Sequence, residues 1–346
     1  MKILFLDYLS YSAHQNFNKI HIDSLLQLGY SIHLVGRAGQ FTNIEKSNRI
    51  DISEMPEYFF SRSISPLFYR IKYVLCLIWA RLVFHIKDYD MVIIPTYDPL
   101  SVFAFRTKKT TIAITHDVHY LDNKIKLFFY NLTPKHYVQV GLNESMAEHL
   151  KQLLPQRLVF YIPHGLINVS TIISRPNFLE KGGRFVFCPV NRWYDAKLVK
   201  QIFESGTFCE YLSRNHIKLI VKEQLISAAF NHPMIIKVNN MLDRAEYDYL
   251  LQNALAVILP YDSVYMYRCS GIMFECVARD TPVIASNIKS MSIFKDTINL
   301  ALFNNTKELI DGVEDFCKNG VKQVDKSVFS PLNYWKEVMN YQFPTI

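Results

Sequence analysis

One alternation constrains this chain more than any other feature. Short, almost wholly apolar runs recur along it, each followed by a longer stretch with helical spacing of its apolar residues. In the first half the runs are KILFLDY, SIHLVGR, MVIIPTY, TIAITHD, YVQVG and RLVFYIP; in the second they are RFVFCPV, IKLIV, MIIKV, LAVILP and TPVIAS. A strand covered on both faces reads as an unbroken apolar run, and parallel neighbours need a helical crossover between them. The alternation therefore predicts an α/β protein with parallel sheets. The stretch from His14 to Leu28 reads as the first crossover helix, stopped by Gly29 in a C-cap position. A polar joint with Pro and Gly, SRPNFLEKGG (174–183), separates two sets of about five or six strands. We expect two Rossmann-like domains facing each other across a cleft, residues 1–170 and 171–326. The closing segment 327–346 contains SPLNYWKEVMNYQF, whose helical spacing suits a helix packing back on the first domain.

Composition narrows the classes. Half of the 346 residues are of hydrophobic type and a fifth are charged, which suits a folded protein with one or two large cores. The cysteines (76, 188, 209, 269, 276 and 317) are scattered, without CxxC spacing, as expected of reduced thiols in a cytosol. The opening MKILFLDYLS goes directly into a strand-like run and has no charged leader. The most apolar stretch, Ile71 to Ala80, lies between Arg70 and Arg81 and contains Lys72. It falls short of the roughly 20 apolar residues that cross a bilayer. A formal charge of +7 favours anionic partners, but the cations are dispersed and no nucleic-acid motif interleaves them with aromatics. Residues 65–87 combine aromatics with Arg70, Lys72, Arg81 and Lys87. They read either as a buried crossover helix or as a basic, aromatic helix in the headgroup region of an anionic membrane. The expected location is cytoplasmic, with peripheral association on the inner face of the cell membrane.

Chemistry is expected just after the strands, because parallel sheets bind ligands at the carboxyl ends of their strands. RFVFCPV is followed by NRWYDAKLVKQIFE, which puts Arg192 at the strand end and Lys197 at the start of the next helix. A guanidinium and an ammonium at a helix N-terminus suit a diphosphate; they also suit ordinary solvated surface. After LAVILP comes YDSVYMYRCSGIMFECVARDTPVIASNIK (261–289). Ser270 is a good N-cap, Gly271 permits close approach of backbone to a phosphate, and Glu275 sits about one turn into an apolar helix. That carboxylate can accept two hydroxyls of a ribose, or simply favour the first turn of its helix.

Taken jointly, the order R-x4-K after the first strand of the second domain, then strand, Pro, loop, SGxxxE helix and TPVIAS, resembles the nucleotide-sugar glycosyltransferases of GT-B fold, family 4 in particular. The likeness covers most of the chain: ITHD (114–117), VGLNESMAEHL and IPHG (162–165) are similar to that family's first-domain motifs. The resemblance implies a nucleotide diphosphate sugar donor, UDP- or GDP-linked, and a glycan or polyprenyl-linked hydroxyl acceptor in surface polysaccharide or glycolipid assembly. It implies that Arg192 and Lys197 bind the diphosphate, that Ser270 and Gly271 add backbone contacts, and that Glu275 holds the ribose. His116, beside Asp117, would lie near the transferred sugar. Two departures stand out. The family's earlier glutamate is replaced by Tyr267, at the sugar end of the donor site, and the loop YLSYSAHQNFNK lacks the Gly-rich turn often found there.

The implied chemistry is displacement of a nucleoside diphosphate from an anomeric carbon. Arg192 and Lys197 can stabilise that leaving group without a metal or other cofactor, and no DxD-like pair sits at a strand end. An inverting enzyme needs a general base in the first domain, for which His116, Asp117, Asp98 and Asp7 follow strands. A retaining one needs none, and the resemblance leans to retention. The rival readings are a nucleotide-sugar epimerase of the same architecture and a non-catalytic nucleotide-sugar-binding protein.

Overall fold

The computed structural model describes residues 1–9, 14–61, 65–169, 171–238 and 242–343. They form two compact units, each built on one parallel sheet.

The first unit contains β1 (Lys2–Asp7), β2 (Ser31–Gly36), β3 (Ile50–Glu54), β4 (Met91–Ile94), β5 (Thr110–Thr115), β6 (Tyr137–Gly141) and β7 (Val159–Tyr161). Their spatial order is β3-β2-β1-β4-β5-β6-β7, all parallel. Phe5 of β1 lies beside Leu34 on one side and Ile93 on the other, all fully buried. The central strands are covered on both faces, which is why they read as continuous apolar runs. β3, IDISE, is half exposed, as suits an edge strand, and carries no apolar run to announce it.

This unit comprises Met1–Gly165, Tyr267–Cys269 and the chain from Phe329 onward. The closing helix, Pro331–Asn340, packs on the first crossover helix, Gln15–Gln27. Its Trp335 is fully buried and donates through Nε1–H to His21 Nδ1 at 2.9 Å. Gly165 lies at the same junction with φ +85°, a backbone region that side-chain-bearing residues rarely adopt. A Cβ there would stand 2.5 Å from the Ile20 side chain and 3.0 Å from Pro331, so the IPHG glycine is dictated by packing as well as by φ.

The second unit, Leu166–Met266 with Ser270–Val328, contains β8 (Arg184–Cys188), β9 (Ile217–Lys222), β10 (Ile235–Val238), β11 (Val257–Leu259), β12 (Val283–Ser286) and β13 (Leu300–Phe303). Their order is β10-β9-β8-β11-β12-β13, again parallel throughout. Domains of 1–170 and 171–326 were expected; the compact units divide between 165 and 166 and between 328 and 329, and three residues from within the second range, 267–269, pack with the first unit.

Candidate functional site

In the second unit the chain runs outward from β8 through β9 to β10, then returns to β11 on the other side of β8. At such a reversal the connections leaving the two central strands diverge, and a crevice opens at their carboxyl ends. The segments flanking this crevice are the ones that carry Arg192 and Lys197, after β8, and Ser270 and Gly271, after β11. Backbone bonds tie the two loops together. Asp195 N–H donates to Pro260 O at 2.9 Å, Asp262 N–H donates to Trp193 O at 3.0 Å, and Tyr194 bridges to Tyr261. Between these ties Trp193 takes φ +59° and exposes its indole, a conformation that persists only where neighbours over-determine it. Sequence reasoning missed this aromatic, since a lone Trp in a polar loop carries no pattern.

Arg192 and Lys197 are both exposed, and neither enters an ion pair among the described residues. Lys197 is the second residue of the helix Ala196–Phe203, whose first turn is already capped: Asp195 Oδ1 accepts from Leu198 N–H at 2.9 Å. The N-terminal amides are thus partly spoken for, and the two cationic side chains are the exposed charged groups at this helix start. Ser270 is fully buried and caps the helix Gly271–Ala278, accepting from Met273 N–H at 3.2 Å and pairing with the Tyr261 hydroxyl at 2.8 Å. Its side chain holds the loop, so only backbone there remains for a ligand.

Glu275 is held by partners that the sequence did not suggest. Its Oε1 accepts two bonds from the Arg244 guanidinium, each 3.2 Å, and its Oε2 accepts from the Tyr247 hydroxyl at 3.0 Å. Both partners come from the helix Arg244–Asn253, which follows β10. Arg244 also pairs with the buried Asp248 at 2.9 Å, and Asp248 in turn pairs with the buried Arg279 at 2.6 Å. Tyr247 sets its ring edge against Phe187 of β8, which links Glu275 to the central strand. Burial, and then the Glu275 charge, drive the Tyr247 phenol well above its ordinary value, so it is a fixed donor. A carboxylate offers roughly four acceptor positions. Three bonds leave room for one more, on a side chain 16% exposed.

The first unit has its own reversal, between β1 and β4. His116, just after β5, is part-buried, and its Nε2 lies 3.0 Å from Pro95 O. A carbonyl can only accept, so Nε2 carries the proton and Nδ1 is left as the acceptor. Its ring lies 4.6 Å from that of His14 and 4.5 Å from that of Phe17; His21 and His164 flank the same Phe17 at 4.3 and 5.1 Å. Burial lowers all four imidazoles, His21 to about 3 and His164 to about 4, and His116 is lowered further by His14 and His164. They are neutral groups, poor at holding a proton.

Asp117 is engaged at both oxygens. One takes an ion pair from Arg268, with both side chains nearly buried, and the other accepts His119 N–H at 3.1 Å. Burial raises its pKa against the pull of Arg268. This pair, with Val118 N–H on Tyr267 O at 3.2 Å and the Asn143 amide on Arg268 O at 3.2 Å, fastens residues 267–269 to the first unit. Tyr267, expected at the donor, stacks on His149 with ring centres 3.8 Å apart. Asp98, after β4, is the carboxylate left underused. Its Oδ2 is buried without a hydrogen-bond partner among the described residues, Arg70 stands 4.0 Å from Oδ1, and burial raises its pKa while Ser101, Arg70 and Lys126 lower it.

No family model matches the sequence, and no curated protein does. Solved structures do. A sucrose-phosphate synthase from Thermosynechococcus elongatus is similar with a TM-score of 0.62 at 12% identity, covering 99% of this chain and 95% of that one. Anabaena HepE, solved in complex with UDP-glucose, gives 0.60 at 13% identity over 100% and 96%. A Listeria monocytogenes protein assigned as a UDP-N-acetylglucosamine 2-epimerase gives 0.62 at 13% identity over 99% of both chains. Identities at this level carry the fold and no more, and the fold is GT-B, with both α/β units included in the match.

Proposed function

We propose that this chain is a glycosyltransferase that uses a UDP- or GDP-linked sugar and passes the sugar to a hydroxyl of a glycan or lipid-linked acceptor, in surface polysaccharide or glycolipid assembly. One observation carries the reading. Two exposed cations, Arg192 on a loop tied by backbone bonds to the loop that opens the Glu275 helix and Lys197 in the first turn of the helix that follows it, stand at the reversal of the second sheet. Cations at that position suit a diphosphate and stabilise it as a leaving group with no metal needed for the charge. Glu275, oriented by Arg244 and Tyr247, retains an acceptor position for a ribose hydroxyl. The exposed Trp193 beside Arg192 is a stacking surface for the base or the sugar.

His116 and Asp117 are not read as bases in this scheme. One is a neutral imidazole and the other is occupied by Arg268, which favours retention of anomeric configuration, with the leaving phosphate taking the acceptor proton. The UDP-glucose complex of HepE supports a nucleotide-sugar ligand, and the epimerase likeness keeps isomerisation as the competing reaction. Calorimetry against UDP, GDP, ADP and CMP is the first test. UDP or GDP should bind most tightly, and Arg192→Ala should weaken that binding by about 1–3 kcal/mol, the scale of a charge-assisted hydrogen bond. No binding of any of the four sinks the proposal, and donor conversion to an isomer without acceptor moves it to epimerisation.

A further inference from the structure

The helix Pro66–Val83 buries Cys76, Leu77 and Ala80 and turns a different set of apolar residues outward. Leu67, Phe68, Ile71, Leu75, Ile78 and Leu82 are each between 38% and 67% exposed. At about 100° per residue they fall within an arc of roughly 100°, along a line about 22 Å long. Lys72 falls on one edge of that arc, and Arg70 and Arg81 fall on the other. A clean segregation is therefore present. A second helix, Lys124–Asn131, packs against the same turn, Val102–Ala104, that the first helix touches, and it exposes Ile125 and Phe128 by more than 60%. Together the two helices carry Arg70, Lys72, Arg81, Lys124 and Lys126 and not one Asp or Glu.

Apolar patches of this extent mark a contact surface, and the charge pattern selects the partner. A second copy of this face would set like charges against like. A membrane-spanning role is excluded for these helices, since none is long and apolar enough to cross a bilayer. An apolar stripe bordered by cations matches a helix lying in the interface, with its stripe among acyl chains and its cations at anionic headgroups. We infer that these two helices seat the first unit on an anionic bilayer surface. Arg70, on the same helix, stands beside Asp98 at the end of β4, so the seated face borders the carboxyl edge of the first sheet. The inference rests on the glycosyl-transfer reading only in one respect, that such a seat suits a lipid-linked acceptor; its evidence and its test are separate.

The test is flotation of the full chain with vesicles of phosphatidylcholine alone and of phosphatidylcholine mixed with phosphatidylglycerol. The chain should float with the anionic vesicles, less so as salt rises, and poorly with the neutral ones. Ile71→Ser/Leu75→Ser/Leu82→Ser and Arg81→Glu/Lys124→Glu should each cut flotation about tenfold or more. Both variants should bind UDP or GDP as the unaltered chain does, which separates loss of the lipid seat from loss of the nucleotide site or of the fold. Undiminished flotation of either folded variant, or equal flotation with neutral vesicles, overturns the inference. So does a dimer, seen by light scattering, that the serine variant dissolves while the chain itself ignores vesicles.

Discussion

Replacing Glu275 by Gln separates a structural carboxylate from a ligand-binding one. The amide keeps the shape of the side chain. Its oxygen can still face the Arg244 guanidinium, now 3.2 Å from Oε1, and its NH2 can donate to the Tyr247 oxygen, now 3.0 Å from Oε2, because a phenol both donates and accepts. Arg244 is not stranded either, since Asp248 remains 2.9 Å away and half of the Arg244 side chain is in solvent. The cost to folding is therefore limited to one weakened charged contact, about 1 kcal/mol or less. A ribose bound at this carboxylate would lose a charge-assisted bond with nothing to replace it. That loss is about 1–3 kcal/mol, or roughly 5- to 150-fold in Kd. Urea denaturation and calorimetry with UDP and GDP, on the same preparation, measure both quantities. A Glu275→Gln variant with a near-normal midpoint and unchanged nucleotide affinity refutes the ribose assignment and leaves Glu275 as a strut between two helices.

The histidine group around Phe17 makes stability depend on pH. His21 and His164 are neutral when folded, with values near 3 and 4, against about 6.5 unfolded, so the unfolded chain takes up protons first and stability falls as pH drops below that value. Between pH 7 and pH 5 each should cost about 2 kcal/mol, and protonating His21 Nδ1 also breaks its bond from Trp335. Asp98 and Asp117 are shifted upward and carry the opposite sign, so the histidine part is isolated by repeating the denaturation series in His164→Gln; the same pH dependence in this variant as in the unaltered chain would show the His164 burial to be illusory. Gly165→Ala forces a Cβ against Ile20 and Pro331 at φ +85° and should destabilise by about 2–4 kcal/mol, read from the urea midpoint; a neutral effect would mean that the closing helix is not seated as described.

What the sequence revealed and what it hid divide along a physical line. Buried central strands such as KILFLDY and LAVILP were legible because double burial demands unbroken apolar runs. β3 and β13 escaped because edge strands are released from that demand; IDISE is mostly exposed, and LALF is short and only partly covered. The places of the proposed donor residues were legible for a related reason, since a position just after a parallel strand is marked locally by the strand itself. Arg192, Lys197 and Ser270 all stand where that rule puts them.

Partners are another matter, because no local pattern encodes them. Glu275 meets Arg244 and Tyr247 across 31 and 28 residues of chain, and Asp117 meets Arg268 across 151. Each of these residues, alone in the sequence, reads as an ordinary surface charge or phenol. Asp117 shows the consequence most directly. Its place after β5 made it a candidate base, yet the same exposure at a strand end lets Arg268 reach it, and a carboxylate in a nearly buried ion pair is poorly placed to collect a proton. Removing the partner alone should expose the difference. Arg268→Met leaves a carboxylate stranded at a site where burial already raises its pKa, so Asp117 should take up a proton and the 267–269 segment should loosen, at a cost of about 3–5 kcal/mol. Arg268→Met/Asp117→Asn should recover much of that loss, because a neutral amide needs no counter-charge. If the double variant is no more stable than the single one, the pair is not what fastens this segment, and Asp117 returns to the list of candidate bases.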